Sequence, residues 1–457
     1  MASLVGREEE LEHLGSIYAG KGLRTCAVFG DRSVGVTSVL RAFCEGKRSL
    51  FLTFDGRSLY ENLWGANRQA CLFTGIDMPL FESGAVMFDA LAAICRKPGV
   101  VLVMDGFENL VARCPDCARL LSDFLSRVND TETMVIVAGS TRGGFKESLD
   151  GPLATRFHER IEVRPLTLEQ TLEFHPDMTL ADAVKVYLTV GGIPKYHRMM
   201  DGTSYRKAVE KCFLGPEAAM AGEVELLISR MPTPTEAHSA IASCIADGLN
   251  RQSEIVARLG MTKSLCKRYM DDMTDSGLAE VLIPMLDSPR RPAYRLSDGL
   301  LAFHYHVLRR HEGRLPDDDV KATYRAMEDD IWDFLTDRFS GLCASYLKES
   351  CGAGNVGRWW SKDASNDSEV PIVASVDDGT GRLLNVLGDC RFREKRLGMK
   401  TLTKLTARAE SIGIADCRYM LFSASGFSSE LVACAEANGV TLVGLEDMVD
   451  PDQPDRM

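Results

Sequence analysis

The sequence predicts an α/β protein whose leading domain is a parallel sheet with helices on both faces, and three runs predict it. Cys26 to Arg41 (CAVFGDRSVGVTSVLR) joins the apolar run Cys26–Phe29 to Gly30, four further residues, Gly35 and an apolar helix start. Val100 to Asp105 (VVLVMD) is an apolar run ending in a carboxylate, which fits a strand buried on both faces with an acid at its carboxyl edge. Met134–Ala138 is a third apolar run, ending in Gly139-Ser140-Thr141-Arg142. Helical patterns separate the three, and strands alternating with helices imply a parallel sheet.

The first run has the frame of a phosphate-binding loop: strand, glycine-punctuated turn, helix N-terminus. Gly30 and Gly35 let backbone N–H groups close on a polyphosphate, and the positive end of the helix dipole favours the anion. Thr37, followed by Ser38, stands where the pattern wants a hydroxyl for Mg²⁺. Val36 stands where a lysine should reach the β- and γ-phosphates, so the geometry is present and the cation is missing. Arg32 or Arg142 could supply part of that charge. Asp105 takes the position of the acid that holds Mg²⁺ through water. A hydrolytic site of this kind usually has glutamate next; here Gly106 follows, and Glu108 is the nearest acid. Thr141 and Arg142 would face the γ-phosphate. Two readings stand for the loop, a nucleotide site or a residual turn kept for packing.

Composition bounds the rest. At 457 residues the chain should hold two to four domains, and 45% apolar with 26% charged residues is ordinary for a globular protein. A net charge of −12 argues against a general nucleic-acid coat without excluding a local basic face. Fourteen cysteines without regular spacing suit reduced thiols in a cytoplasm better than a disulfide framework. No secretory leader and no membrane span is expected.

In chain order, residues 4–19 carry apolar positions at helical spacing after an acidic first turn (Glu8, Glu9, Glu10). A helix to about residue 46, a β-rich run Ser49–Asp55 and an irregular helical stretch to 97 follow the loop. Residues 161–213 contain IEVRPLTLEQTLEF, a helical stretch, and the tight turn Gly191-Gly192-Ile193-Pro194. From Glu223 three helices are expected (Ala237–Asp247, Gln252–Leu259, Thr262–Ser276). Two strands (residues 277–282 and Ala293–Leu296) then flank Ser288–Pro292, and three helices plus a hairpin is the pattern of a winged helix-turn-helix. Lys263, Lys267 and Arg268 on its third helix, with Arg290 and Arg291 in the wing, could meet DNA phosphates, although Asp271, Asp272 and Asp275 share the helix. Leu300–Arg310 is another helix, and Leu315–Asp319 is an acidic linker. The tail should open on a helix (Met327–Glu349) and hold strands at Ile372–Val376, Leu384–Leu387, Tyr419–Phe422 and Thr441–Gly444, with a helix at Gly398–Ser411.

Taken together the chain resembles the archaeal-type ATPase family, a STAND-like branch of the AAA+-related P-loop proteins. The residues that carry the resemblance are Gly6-Arg7-Glu8-x-Glu10-Leu11, Gly30–Thr37, the strand ending at Asp105, Gly139-Ser140-Thr141, Gly191–Pro194 and Tyr294-x-Leu296-x-Asp298. In the tail, Gly357-Arg358-Trp359-Trp360 and Phe422-Ser423-x-x-Gly426-Phe427 are similar to a restriction-endonuclease-like domain often fused to these ATPases. The resemblance implies a P-loop nucleotide-binding domain (1–165), a helical lid (166–222), a winged helix (223–312) and a PD-(D/E)XK nuclease-like α/β domain (325–457). It also implies ATP and Mg²⁺ as ligands, Arg7 among the nucleotide contacts and Pro194 fixing the lid turn against the nucleotide.

The chain departs from the family at the chemical positions. Beyond Val36 and Gly106, the family's Glu-Ile-Asp falls on Glu369-Val370-Pro371 and its Glu-x-Lys on Asp389-Cys390-Arg391. Proline cannot bind a metal and arginine cannot serve as a base, so the nuclease-like site reads as degenerate, with Glu369, Asp389 and Arg391 its remnants. Cys114-Pro-Asp-Cys117 lacks a second ligand pair for zinc and reads as two reduced thiols near a helix start. His304 and His306 lie two apart and cannot form an i,i+4 metal pair. The expected function is a nucleotide-responsive switch whose hydrolysis is slow or absent. The alternatives are a DNA- or protein-binding protein that no longer uses ATP, and a slow ATPase with a replacement cation.

Overall fold

The computed structural model describes residues 4–31, 33–140, 144–229, 235–285, 292–313, 319–360, 369–377, 383–414 and 417–449. The chain divides into two units, residues 1–171 with 192–195, and residues 172–191 with 196–457.

In the first unit α1 (Glu8–Tyr18) precedes β1 (Arg24–Gly30), α2 (Val36–Cys44), β2 (Ser49–Thr53), α3 (Leu59–Thr74) and α4 (Gly84–Cys95). Then come β3 (Val101–Asp105), α5 (Phe107–Arg113), α6 (Cys117–Arg127), β4 (Met134–Ser140), α7 (Phe145–Ser148) and β5 (Glu159–Val163). The five strands form one sheet in the order β2-β3-β4-β1-β5, with every neighbouring pair parallel. Alternate residues of each strand enter different cores. Cys26 and Val28 of β1, with Val101, Val103, Ile136 and Ile161, pack against Leu14 of α1 and Val39, Leu40 and Phe43 of α2. Ala27 and Phe29, with Leu50, Leu102, Met104 and Val135, pack against Leu63, Phe88, Leu110 and Phe124 of α3 to α6. This double burial is why β1, β3 and β4 read as unbroken apolar runs. The sheet is parallel with helices on both faces, as the sequence predicts.

One strand of this sheet differs from expectation. Residues 159–163 form β5, where no strand is predicted from the sequence. It is an edge strand paired only with β1, and only Ile161 and Val163 are buried, so Glu159, Arg160 and Glu162 break the apolar signal.

Across the join lie α8 (Leu168–Leu172), α9 (Leu180–Val190), α10 (Pro194–Met199), α11 (Tyr205–Phe213) and α12 (Glu223–Ser229). In the second unit α13 (Glu236–Ala246), α14 (Gln252–Leu259) and α15 (Lys263–Asp275) are followed by the antiparallel pair β6 (Ala279–Leu282) and β7 (Ala293–Leu296). The expected single helix at 300–310 is α16 (Gly299–Phe303), a π-helical turn (His304–Leu308) and α17 (Arg309–His311). His306 meets the Phe334 ring at 6.1 Å, so it packs rather than ligates.

Of the expected linker Leu315–Asp319 all but the last residue lies outside the described residues, and Asp319 caps α18 (Val320–Ser350), which starts seven residues before the predicted Met327. The C-terminal sheet comprises β8 (Asn355–Trp360), β9 (Glu369–Asp377), β10 (Leu383–Arg391), β11 (Cys417–Ser423) and β12 (Thr441–Val443), with α19 (Met399–Ile412), α20 (Ser429–Asn438) and α21 (Leu445–Val449). Its order is β12-β11-β10-β9-β8, parallel at β10–β11 and β11–β12 and antiparallel elsewhere. Leu387 faces Leu402 and Leu405 of α19 and Leu431 of α20, whereas α18 packs along β8 to β10, where its Phe339 meets Phe392. Neither β8 nor α20 was expected from the sequence. Among the described residues no helix is long and apolar enough to cross a membrane.

Candidate functional site

The loop between β1 and α2 sits at the carboxyl edge of the parallel sheet, where α/β folds place ligands. β1 is flanked by β4 and β5, so Gly30 pairs with Ser140 on one side and Val163 on the other. A Cβ on Gly30 would lie 2.3 Å from the Val163 carbonyl oxygen and 2.8 Å from Val34 Cγ2, so only glycine fits there. Ser33 has φ +65° and Gly35 φ +106°, which turns the chain sharply into α2. No side chain caps α2, and its first-turn N–H groups have no intrahelical acceptors. Thr37 and Ser38 in that first turn are exposed. Arg32 lies outside the described residues.

Arg7 holds this turn from behind. Its guanidinium is 4% exposed, and Nη2 donates to the carbonyls of Val34 (2.8 Å) and Arg164 (2.8 Å) while Nη1 meets Glu10 Oε1 (2.9 Å). An expected nucleotide contact thus directs its donors to the protein, fixing the loop to the exit of β5. Val36 packs against the core that holds Val34 and Val39. At the lysine position the chain therefore contributes apolar packing.

Thr37 and Asp105 are brought together: Thr37 Oγ1 donates to Asp105 Oδ2 at 2.7 Å. Asp105 is 8% exposed, and burial raises its pKa against the lowering effects of the Thr37 hydroxyl and the Arg41 charge. A buried carboxylate beside a hydroxyl, both oxygen donors, suits Mg²⁺, which is commonly held by one or two carboxylates plus phosphates. Among the described residues no three His, Cys, Asp or Glu side chains cluster as a metal cage.

The missing glutamate has a local cause. Gly106 takes φ +78°, and a Cβ on it would lie 2.1 Å from the Phe54 carbonyl oxygen. That oxygen accepts from Asn109 Nδ2 at 3.3 Å, and the Phe54 amide bonds the Asp105 carbonyl at 2.7 Å, so it is held in place. Glu108 instead reaches the end of β4, where Oε1 accepts from the Ser140 amide at 3.1 Å. A Cβ on Gly139 would lie 2.0 Å from Glu108 Oε2, so this glycine makes room for the carboxylate. Sequence reasoning noted Glu108 only as the nearest acid; the glycine at 139 was the available signal. Thr141 and Arg142 lie outside the described residues.

The Gly-Gly-Ile-Pro turn is anchored to the first unit. The Leu166 amide donates to the Gly192 carbonyl at 2.8 Å, a Cβ on Gly192 would lie 2.0 Å from the Leu166 carbonyl oxygen, and Ile193 packs on the core beneath Val34. Pro194 is buried. Within the second unit, His197 Nε2 lies 2.8 Å from the Gly191 carbonyl oxygen and its Nδ1 lies 2.8 Å from His175 Nε2. Sequence reasoning missed this pair. Burial lowers their pKa values, to about 4 for His175 and about 3 for His197.

The remaining expected residues lie in the second unit. Lys263 is exposed at the start of α15, Lys267 is ion-paired with Asp271 at 2.7 Å, and Arg268 lies over the Tyr269 ring at 5.1 Å. Arg290 and Arg291 lie outside the described residues. In the C-terminal sheet Glu369 meets Arg358 Nη1 at 3.4 Å, and Arg358 also bonds Asp337 Oδ1 at 2.8 Å. Asp389 is 6% exposed and faces Arg408 Nη1 at 3.6 Å, while Arg391 is exposed at the strand end. Burial raises the pKa of both carboxylates.

No protein-family model matches the chain. It is 22% identical over 431 residues to the uncharacterized protein MJECL04 of Methanocaldococcus jannaschii, covering 90% of this chain and 93% of that one. Among solved structures it is similar to the Walker-type ATPase PABY2304 of Pyrococcus abyssi, at 17% identity and a TM-score of 0.49, covering 66% of this chain and 96% of that one. It is also similar to the ORC2 protein of Aeropyrum pernix in its ADPNP–ADP complexes, at 14% identity and a TM-score of 0.44, covering 72% of this chain and 95% of that one.

Proposed function

We propose that the chain is an ATP-binding P-loop protein that acts as a nucleotide-responsive switch, with hydrolysis slow or absent. The observation that carries this reading is the 2.7 Å bond between Thr37 and Asp105 at the mouth of a glycine loop that retains its backbone donors. Gly30, Gly35 and the first turn of α2 would hold the phosphates. Thr37 and Asp105 would hold Mg²⁺, which supplies charge neutralisation at the β- and γ-phosphates. Arg7 keeps the loop in shape, and Thr141 or Arg142 would sense the γ-phosphate. Val36 and Gly106 remove the ammonium and the water-orienting carboxylate, each of which carries orders of magnitude in rate in enzymes of this kind. Binding would then shift the balance between two arrangements of the downstream parts.

Calorimetric titration with ATP and Mg²⁺ tests the reading. Saturable heat at micromolar ATP supports it, and no heat at millimolar ATP overturns it. Phosphate release by wild type and a Val36→Lys variant addresses hydrolysis: a gain in the variant shows that the missing lysine limits the site.

A second reading treats residues 236–296 as a winged helix that docks DNA or a protein, followed by a degenerate nuclease-like domain. The exposed Lys263 and Arg268 on α15 favour it. Binding to duplex DNA that weakens steeply with salt supports contact with phosphates; no binding at low salt leaves a protein as the partner of this region.

A further inference from the structure

Cys114 and Cys117 lie on the connection that leaves β3, between α5 and α6. The Cys117 amide donates to the Cys114 carbonyl at 2.9 Å, closing a turn over Pro115 and Asp116. Such a turn keeps its end Cα atoms within about 7 Å, the spacing a disulfide needs. The two thiols differ in setting. Cys117 is fully buried as the first residue of α6, whereas Cys114 retains 9% exposure. The Cys114 sulfur also lies against the first turn of α4, where a Cβ on Gly84 would come within 3.0 Å of it. It thus stands near the N-termini of two helices of 12 and 11 residues, both positive ends, while forming the C-cap of the seven-residue α5.

We propose that Cys114 and Cys117 form a dithiol–disulfide exchange site whose substrate is a small disulfide of the glutathione type, Cys114 attacking and Cys117 resolving. The Cys114 thiolate attacks one sulfur of the small disulfide and expels a thiolate, giving a mixed disulfide on Cys114. The Cys117 thiol, losing its proton to solvent or to the expelled thiolate, attacks the Cys114 sulfur and releases the second small thiol. Two electrons pass from the protein dithiol to the small disulfide, and two small thiols result. Cys114, at 9% exposure against none for Cys117, is the member of the pair that a small reagent in solution reaches first.

The titration behaviour agrees. The hydrogen bond from Cys117 and the Asp116 amide hold the Cys114 thiol down to about 7, against burial and the Asp116 charge. A thiol with a pKa near ambient pH combines a high thiolate fraction with good nucleophilicity. The Cys117 thiol is raised by the same hydrogen bond and by burial, as befits a group that reacts second. Burial pushes Cys26 and Cys95 up to about 12, which leaves them inert and supplies internal controls.

The test is equilibration of the folded protein in glutathione buffers of increasing oxidised fraction, followed by acid quench, denaturation, alkylation and peptide mapping. The expected result is a peptide bearing Cys114 and Cys117 that loses both alkyl groups and is two hydrogens lighter, reversibly with dithiothreitol. Cys26 and Cys95 should stay fully alkylated. In Cys117→Ser a stoichiometric mixed disulfide with glutathione should accumulate on Cys114, and in Cys114→Ser none should form on Cys117. Wild type whose pair is alkylated at every buffer ratio overturns the proposal, and so does a mixed disulfide that forms first on Cys117.

Discussion

Restoring the glutamate after Asp105 should damage the protein instead of activating it. In Gly106→Glu the new side chain must enter the left-handed region, at about 1–2 kcal/mol for a residue with a Cβ. Its Cβ also starts 2.1 Å from the Phe54 carbonyl oxygen. Relief needs a backbone shift of roughly 1 Å, an overpacking strain of about 1–3 kcal/mol. The sum, about 2–5 kcal/mol, corresponds to a fall in Tm of roughly 4–20 °C for a unit of this size. Thermal unfolding followed by circular dichroism reads the shift, and phosphate release shows whether activity follows. Gly106→Ala carries the same Cβ without the carboxylate and should lose nearly as much. A Gly106→Glu protein that melts with wild type and hydrolyses ATP faster would refute the reasoning.

Thr37→Val keeps the volume and removes the hydroxyl beside Asp105; Mg²⁺-dependent ATP binding should weaken at least tenfold by calorimetry, and unchanged affinity would remove Thr37 from the ligand set. Arg7→Lys cannot bond two carbonyls and a carboxylate with one planar fork, so urea unfolding should show a loss of about 1–3 kcal/mol despite the retained charge. His175 and His197 are neutral in the folded chain, with pKa values depressed to about 4 and about 3. Their contribution is complete above the unfolded value near 6.5 and is lost as pH falls from there towards the folded values. Between pH 7.5 and pH 5 the loss should approach about 2 kcal/mol per histidine, and amide exchange in α9 should accelerate. His197→Gln should flatten that slope, and an unchanged slope would point to other groups.

What the sequence shows plainly is what local pattern can carry. The strands β1, β3 and β4 are legible because burial on both faces writes them as unbroken apolar runs. Thr37 and Asp105 are legible because loop spacing and a strand-end acid each have a chemical reason. By contrast β5 mixes three charged residues into five and is recognisable only beside β1. The role of Arg7 depends on carbonyls 27 and 157 residues away, which no local window contains. The glycine at 106 reads from sequence as a lost catalytic group. Its steric necessity emerges only once Phe54 is in place. The same holds for the histidine pair, whose members are 22 residues apart, His175 on the connection after α8 and His197 on α10.

Arg7 has one consequence for affinity. Because its fork ties the loop to the exit of β5, the curl of amides ahead of α2 acquires its shape when the chain folds, before any ligand arrives. A triphosphate would meet a preorganised cradle and would have little disorder left to quench. With valine at the lysine position, that rigidity would be one means of retaining a highly charged guest.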